Sequence, residues 1–69
     1  MSDLKMLELE RFYVGSAMKK YAGGFFKAIG EAIAHAHLSN LRIIKETWNK
    51  EWNEYLEIGK KEYEKNGQF

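Results

Sequence analysis

The chain has no cysteine and no proline among its 69 residues. The first absence removes disulfides and thiolate zinc sites together, two common supports for a fold this small. The second removes the strongest backbone breaker, so glycine alone punctuates the chain, and Gly23-Gly24 is its one glycine pair. No apolar run approaches the roughly 18 residues that suggest a membrane span, and Met1-Ser2-Asp3-Leu4 offers neither the basic nor the apolar block of a signal peptide. A cytoplasmic location with no membrane partner is the expectation. Neither charge dominates. Eleven basic and ten acidic residues leave a net charge of +1, too weak a field to draw nucleic acid, anionic lipid or an acidic substrate, and too little negative charge for a DNA mimic.

Apolar residues make up 45% of the chain against 30% charged, which places it among sequences that fold. A globular chain of this length hides only about 60% of the surface its unfolded form exposes, so dense helix packing or a second copy must supply the stability that disulfides and metals do not. The apolar spacing predicts an all-α architecture over residues 1–69: a compact bundle of three or four short helices, with dimerisation available to complete it. The helices are expected at about 3–21, 25–36, 40–47 and 49–65, the last two either continuous or separate.

In the first block Ser2 or Asp3 is available as N-cap, and Asp3, Glu8 and Glu10 lie toward the positive end of the helix dipole. Leu4, Leu7, Val14, Met18 and Tyr21 form a stripe that Met6, Leu9, Tyr13 and Ala17 widen beyond half the circumference. Such a helix is either central in its own fold or covered by a second subunit. Phe12 falls on the polar side, among Lys5, Glu8, Ser16 and Lys19, as a candidate surface anchor. The second block sets Phe25, Ile29, Ala32, Ile33 and Ala36 on one face. Its Gly30 costs about 1 kcal/mol of helix propensity relative to alanine, which points to a packing reason. Ser39 or Asn40 offers the next N-cap.

From Leu41 onward, Ile44, Trp48, Trp52, Tyr55, Gly59 and Tyr63 recur at steps of three and four, an aromatic stripe holding both tryptophans. One continuous helix would leave Ile43 and Ile58 pointing away from it. A break at Thr47-Trp48-Asn49, capped by Thr47 or Asn49, would let Ile43 turn inward. Glu46 with Lys50, Glu57 with Lys61, and Lys60 with Glu64 are solvated pairs at i,i+4, and Asn66-Gly67 reads as a C-terminal cap.

Chemistry-bearing motifs are weak. His35 and His37 lie two apart, so on a helix they point about 200° away from each other and cannot chelate one ion. No third histidine joins them, and His37 instead suits the carbonyls at a helix C-terminus. Ser2, Ser16, Ser39 and Thr47 are, for the most part, placed at helix ends, where capping accounts for them. Gly23 to Gly30 has the look of a membrane-seeking helix start, but Lys27, Glu31 and His35 give it no basic face. Action without catalysis or cofactor is therefore expected. Phe12, Trp48, Trp52, Tyr55 and Tyr63 are the candidate protein-binding residues, because Trp and Tyr dominate interface hot spots; for both tryptophans the competing role is core. The alternative is a helix-turn-helix-like DNA-binding regulator reading through Asn40, Arg42 and Lys45, though its turn lacks glycine and Glu46 follows Lys45 directly.

The run Gly24-Phe-Phe-Lys-Ala-Ile-Gly-Glu-Ala-Ile33, then Asn40-Leu41, Trp52-Asn-Glu-Tyr-Leu56 and Leu9-Glu-Arg-Phe-Tyr13, resembles small uncharacterised proteins encoded by tailed bacteriophages. Those proteins often carry Asp near position 37 and Phe-Pro at 48 and 49, where this chain has His37 and Trp48-Asn49. The resemblance brings no catalytic residue. It implies binding to a bacterial host or phage protein, with inhibition of a defence nuclease in the manner of anti-CRISPR proteins as one concrete form, in the bacterial cytoplasm; the homo-oligomer also expected rests on the excess of apolar helical surface.

Overall fold

A computed structural model describes the backbone of residues 2–67 and the side chains of residues 5–67. Four helices follow one another: α1 (Ser2–Tyr21), α2 (Gly24–His35), α3 (Leu38–Thr47) and α4 (Asn49–Asn66), with no strand among the described residues. The expected N-cap at Ser2 or Asp3 and the inward position of Leu4 concern side chains outside the described residues.

α1 is the axis of the molecule, and α2 and α4 pack along it while α3 touches it more lightly. Part of its wide apolar arc is consumed within one chain: Leu7, Val14, Ala17 and Met18 are buried with Ile33 of α2, Leu41 of α3 and Trp52 of α4, while Met6, Leu9 and Tyr21, expected on the same arc, stay half exposed or more. The helix ends with Lys19 and Lys20 in its last turn, where positive charge suits the dipole.

Two glycines let the helices come this close. A Cβ on Gly30 would lie 2.8 Å from the Met18 Cβ and 3.0 Å from the Gly15 carbonyl oxygen. This is the packing reason for a glycine in the middle of α2. A Cβ on Gly59 would lie 2.5 Å from the Tyr13 carbonyl oxygen, so α4 rests directly on the backbone of α1. Gly67, by contrast, is needed for its φ of 76°: it ends α4 in the left-handed conformation, and its N–H donates to the Tyr63 carbonyl.

The break falls at Trp48. Its N–H still donates to Ile44 and its carbonyl still accepts from Trp52, at 3.0 and 2.8 Å, but φ −117° and ψ 52° take it out of the helix. Neither Thr47 nor Asn49 caps α4 through its side chain; the Asn49 Oδ1 accepts from Asn53 instead. The break does not turn Ile43 inward, and it remains 59% exposed. A kink C-terminal to Ile43 cannot change its phase within α3, which buries Leu41 and half-buries Ile44.

α3 starts at Leu38, earlier than Ser39 or Asn40 would have placed it, with an extended His37 at its N-cap and no side-chain bond there. His37 thus opens α3 and does not cover the end of α2, whose C-cap is Ala36. The ion pairs formed among the described residues are also not the expected i,i+4 pairs Glu46–Lys50, Glu57–Lys61 and Lys60–Glu64: Lys45 meets Glu10, Lys20 meets Glu62, and Arg11 meets Glu8.

Candidate protein-binding surfaces

The five aromatic candidates separate into three environments. Trp52 is fully buried, which makes it core and withdraws it from any contact surface. Its indole N–H donates to Glu10 Oε1 at 2.9 Å, and the Lys45 ammonium donates to the same oxygen at 2.9 Å. One carboxylate therefore joins α1, α3 and α4. Tyr55 is half-buried against the core.

Phe12 and Tyr63 are brought together. Their rings lie edge to face at 5.6 Å, and Tyr13 completes the group at 5.5 Å from Phe12 and 5.9 Å from Tyr63. Phe12 is 47% exposed, as its place on the polar side of α1 leads one to expect.

Trp48 lies elsewhere. Its half-buried ring meets Phe25 edge to face at 5.8 Å and Phe26 at 6.1 Å, and the two phenylalanines meet each other at 5.0 Å. Phe25 is 61% exposed, contrary to the inward position the spacing gave it, and Ala32 is exposed as well. The reason is helical phase. The close approach at Gly30 fixes which side of α2 faces α1; Phe26 lies about 40° from Gly30 around the helix and Phe25 about 140°. Phe25 is thus the surface residue missed in the sequence, and the signal that finds it is Gly30.

A second surface runs along α1 and α3. Leu9 and Phe12 share a depression with Lys5, Glu8 and Leu38, and Leu38 continues into a neighbouring one with Ser39, Arg42, Ile43 and Glu46. Arg11 holds this region in place, because its guanidinium donates to the Ala36 carbonyl at 2.9 Å and so fixes where α3 begins.

Of the three DNA-reading candidates, Asn40 and Arg42 are exposed, whereas Lys45 is engaged by Glu10. α2 packs on α1, α3 divides its contacts between α1 and α4, and α2 and α3 make little contact with each other, unlike the mutually packed pair of a helix-turn-helix. His35 and His37 are both exposed, and no group of three metal-ligating side chains is found among the described residues.

At the other end of the bundle the Tyr21 hydroxyl donates to the Glu62 carboxylate, which also lies 3.5 Å from the Lys20 ammonium. The hydrogen bond from Tyr21 holds the Glu62 carboxyl below its ordinary range, and the same bond holds the Tyr21 phenol above its own. No helix of the described residues is long and apolar enough to cross a membrane.

The fold therefore defines an all-α bundle with a central helix; its aromatic candidates lie on surfaces, and Glu10, Arg42, Lys45, Glu46 and Asn49 line an open depression beside Met6 and Leu7. Comparison with protein-family models, with curated proteins and with solved structures yields no match.

Proposed function

We propose that this protein acts by binding another protein through helix-borne aromatic side chains, and that self-association is part of its working form. The observation carrying this reading is the Phe25–Phe26–Trp48 group. Phe25 is mostly exposed yet held edge to face by Trp48, so a large apolar contact is presented with its rotamer already restricted. An anchor fixed in this way loses little entropy on binding. Likeness to small phage-encoded proteins makes a bacterial host or phage protein, a defence nuclease among them, the class of target to test first, in the bacterial cytoplasm. The near-neutral net charge favours steric or allosteric blockade over imitation of nucleic acid.

The test is affinity capture from bacterial lysate with the wild-type chain and with Phe25→Ala, followed by affinity measurement on the purified captured protein. Phe25→Ala is expected to keep its melting temperature within a few degrees and to weaken binding by about 30-fold, the equivalent of a 2 kcal/mol hot spot. Capture that is indifferent to Phe25→Ala and to Trp48→Phe would remove this surface from the account.

A further inference from the structure

The α1–α3 surface is a different matter from the Phe25–Trp48 group, because side chains of both charges stand at its edge. Met6, Leu9 and Phe12 follow one another at steps of three along α1; Leu38 of α3 shares a depression with Leu9 and Phe12, and Ile43 lies in the next one, also lined by Leu38. Met6 and Leu9 are each more than half exposed, as is Ile43. The depressions they line are joined through Leu38 and through Arg42 and Glu46. We propose that this face pairs with the same face of a second copy of the chain, about a two-fold axis. The proposal gives the self-association within the reading above a definite surface, and it does not involve Phe25.

Two observations select a second copy as the occupant. The first is area. Roughly half of each of four large apolar side chains lies bare, on the order of 400 Å2, and a stable interface of about 800 Å2 per partner with a homodimer's apolar share of about 65% needs about 500 Å2. The edge of Leu38 narrows the remaining difference. An apolar patch of this extent lies within the roughly 300–600 Å2 of a monomer's largest patch, a size often tied to function, and it sits on a chain that has little core to spare.

The second is charge. The rim carries Lys5 and Glu8 on α1 and Arg42 and Glu46 on α3, two groups of each sign. An isologous contact places one patch against itself, so a rim with equal numbers of both signs can be its own complement. A strongly acidic or basic partner would meet no opposing field here.

Sedimentation velocity across a concentration series, with Leu9→Glu, Ile43→Glu and Ile58→Glu beside the wild type, tests this directly. All three positions are exposed, so each variant is expected to fold, with helical circular dichroism confirming it. The wild type should sediment at twice its 8.1 kDa chain mass at tens of micromolar. Leu9→Glu and Ile43→Glu should each weaken the dimer by at least 100-fold, whereas Ile58→Glu, on α4 beside Tyr21, should leave it intact. A wild type that stays monomeric at about 200 µM overturns the proposal. So does a dimer that survives Ile43→Glu and Leu9→Glu, or one that Ile58→Glu dissociates. A wild-type monomer that still captures a target through Phe25 would overturn the dimer face while leaving the binding reading standing. A wild-type dimer whose capture ignores Phe25→Ala would do the reverse.

Discussion

Glu10 is the side chain on which three helices converge. It accepts from Trp52 and Lys45 with one oxygen, and it is mostly withdrawn from solvent. Trp52→Ala both opens a cavity in the core and abandons this acceptor. A loss of about 3–5 kcal/mol follows from the cavity alone, which in a domain of this size lowers the melting temperature by well over about 10 °C. Trp52→Phe keeps most of the ring and gives up the N–H, so its cost should stay near the roughly 1 kcal/mol of one hydrogen bond. Thermal melts of the two variants separate volume from hydrogen bonding.

The Tyr21–Glu62 contact makes a prediction in pH. Glu62 is held below its ordinary range, so its contribution to stability is present above the unfolded carboxylate value and is lost as pH falls through the folded one. Tyr21 is held above its range, so its contribution is present below the ordinary phenol value and is lost as pH rises through the folded one. Tyr21→Phe should therefore lower the melting temperature slightly near neutral pH and not at all in strong acid. In an NMR titration of that variant the Glu62 carboxyl should move back up toward its ordinary value; an unmoved Glu62 would mean that Tyr21 is not its determinant. The burial of Trp52 could be foreseen from its place in a long apolar stripe. The Glu10 junction could not, because Glu10, Lys45 and Trp52 are scattered along the sequence and meet only once α3 and α4 are laid on α1.

Helix packing rests on glycines whose function shows only in three dimensions. Gly59→Ala would gain about 1 kcal/mol of helix propensity. It would also drive a methyl group into the Tyr13 carbonyl, 2.5 Å away, and overpacking of that kind costs about 1–3 kcal/mol or more when the obstacle is backbone. The steric term wins, and denaturant titration should show a net loss. Gly23 offers the opposite case. It is the N-cap of α2 in extended conformation, it carries no side-chain cap, and a Cβ there meets nothing within 4 Å. Gly23→Asp should raise stability by about 0.5–1 kcal/mol, through a new acceptor for the first turn and a less flexible unfolded chain. A destabilised Gly23→Asp would contradict the reading of this turn.

These elements also mark how far the sequence could be read. The helical blocks, the Gly23-Gly24 turn and the Gly67 cap are local, and the periodicity and the glycines announce them, with three or four helices left open. Whether α3 and α4 part at Trp48 depends on Trp48 finding Phe25 and Phe26 while Trp52 enters the core, and both contacts are long-range. Phe25 and Phe26 are neighbours with equal claims to the apolar face in a linear pattern, and only the docking of Gly30 on α1 decides between them.

At the scale of the complete chain, one central helix spends most of its apolar circumference within the bundle, and a remainder is left along α1 and α3. Phe12 sits in that remainder and also in the aromatic group with Tyr13 and Tyr63. Edge-to-face pairs of this kind contribute about 0.5–1.5 kcal/mol, so Phe12→Ala should cost a few degrees of melting temperature and keep the fold, while weakening assembly far more than stability. Unfolding of Phe12→Ala would mean that this region belongs to the core.

The most direct test is an amide NMR spectrum followed on dilution from about 500 µM to about 5 µM, across the range where a weak pair dissociates by mass action. Shifts confined to the amides around Leu9, Phe12, Leu38 and Ile43, with those of the α2–α4 side unmoved, are the expected result. A spectrum that does not change with concentration, at a correlation time fitting one 8.1 kDa chain, would contradict the account.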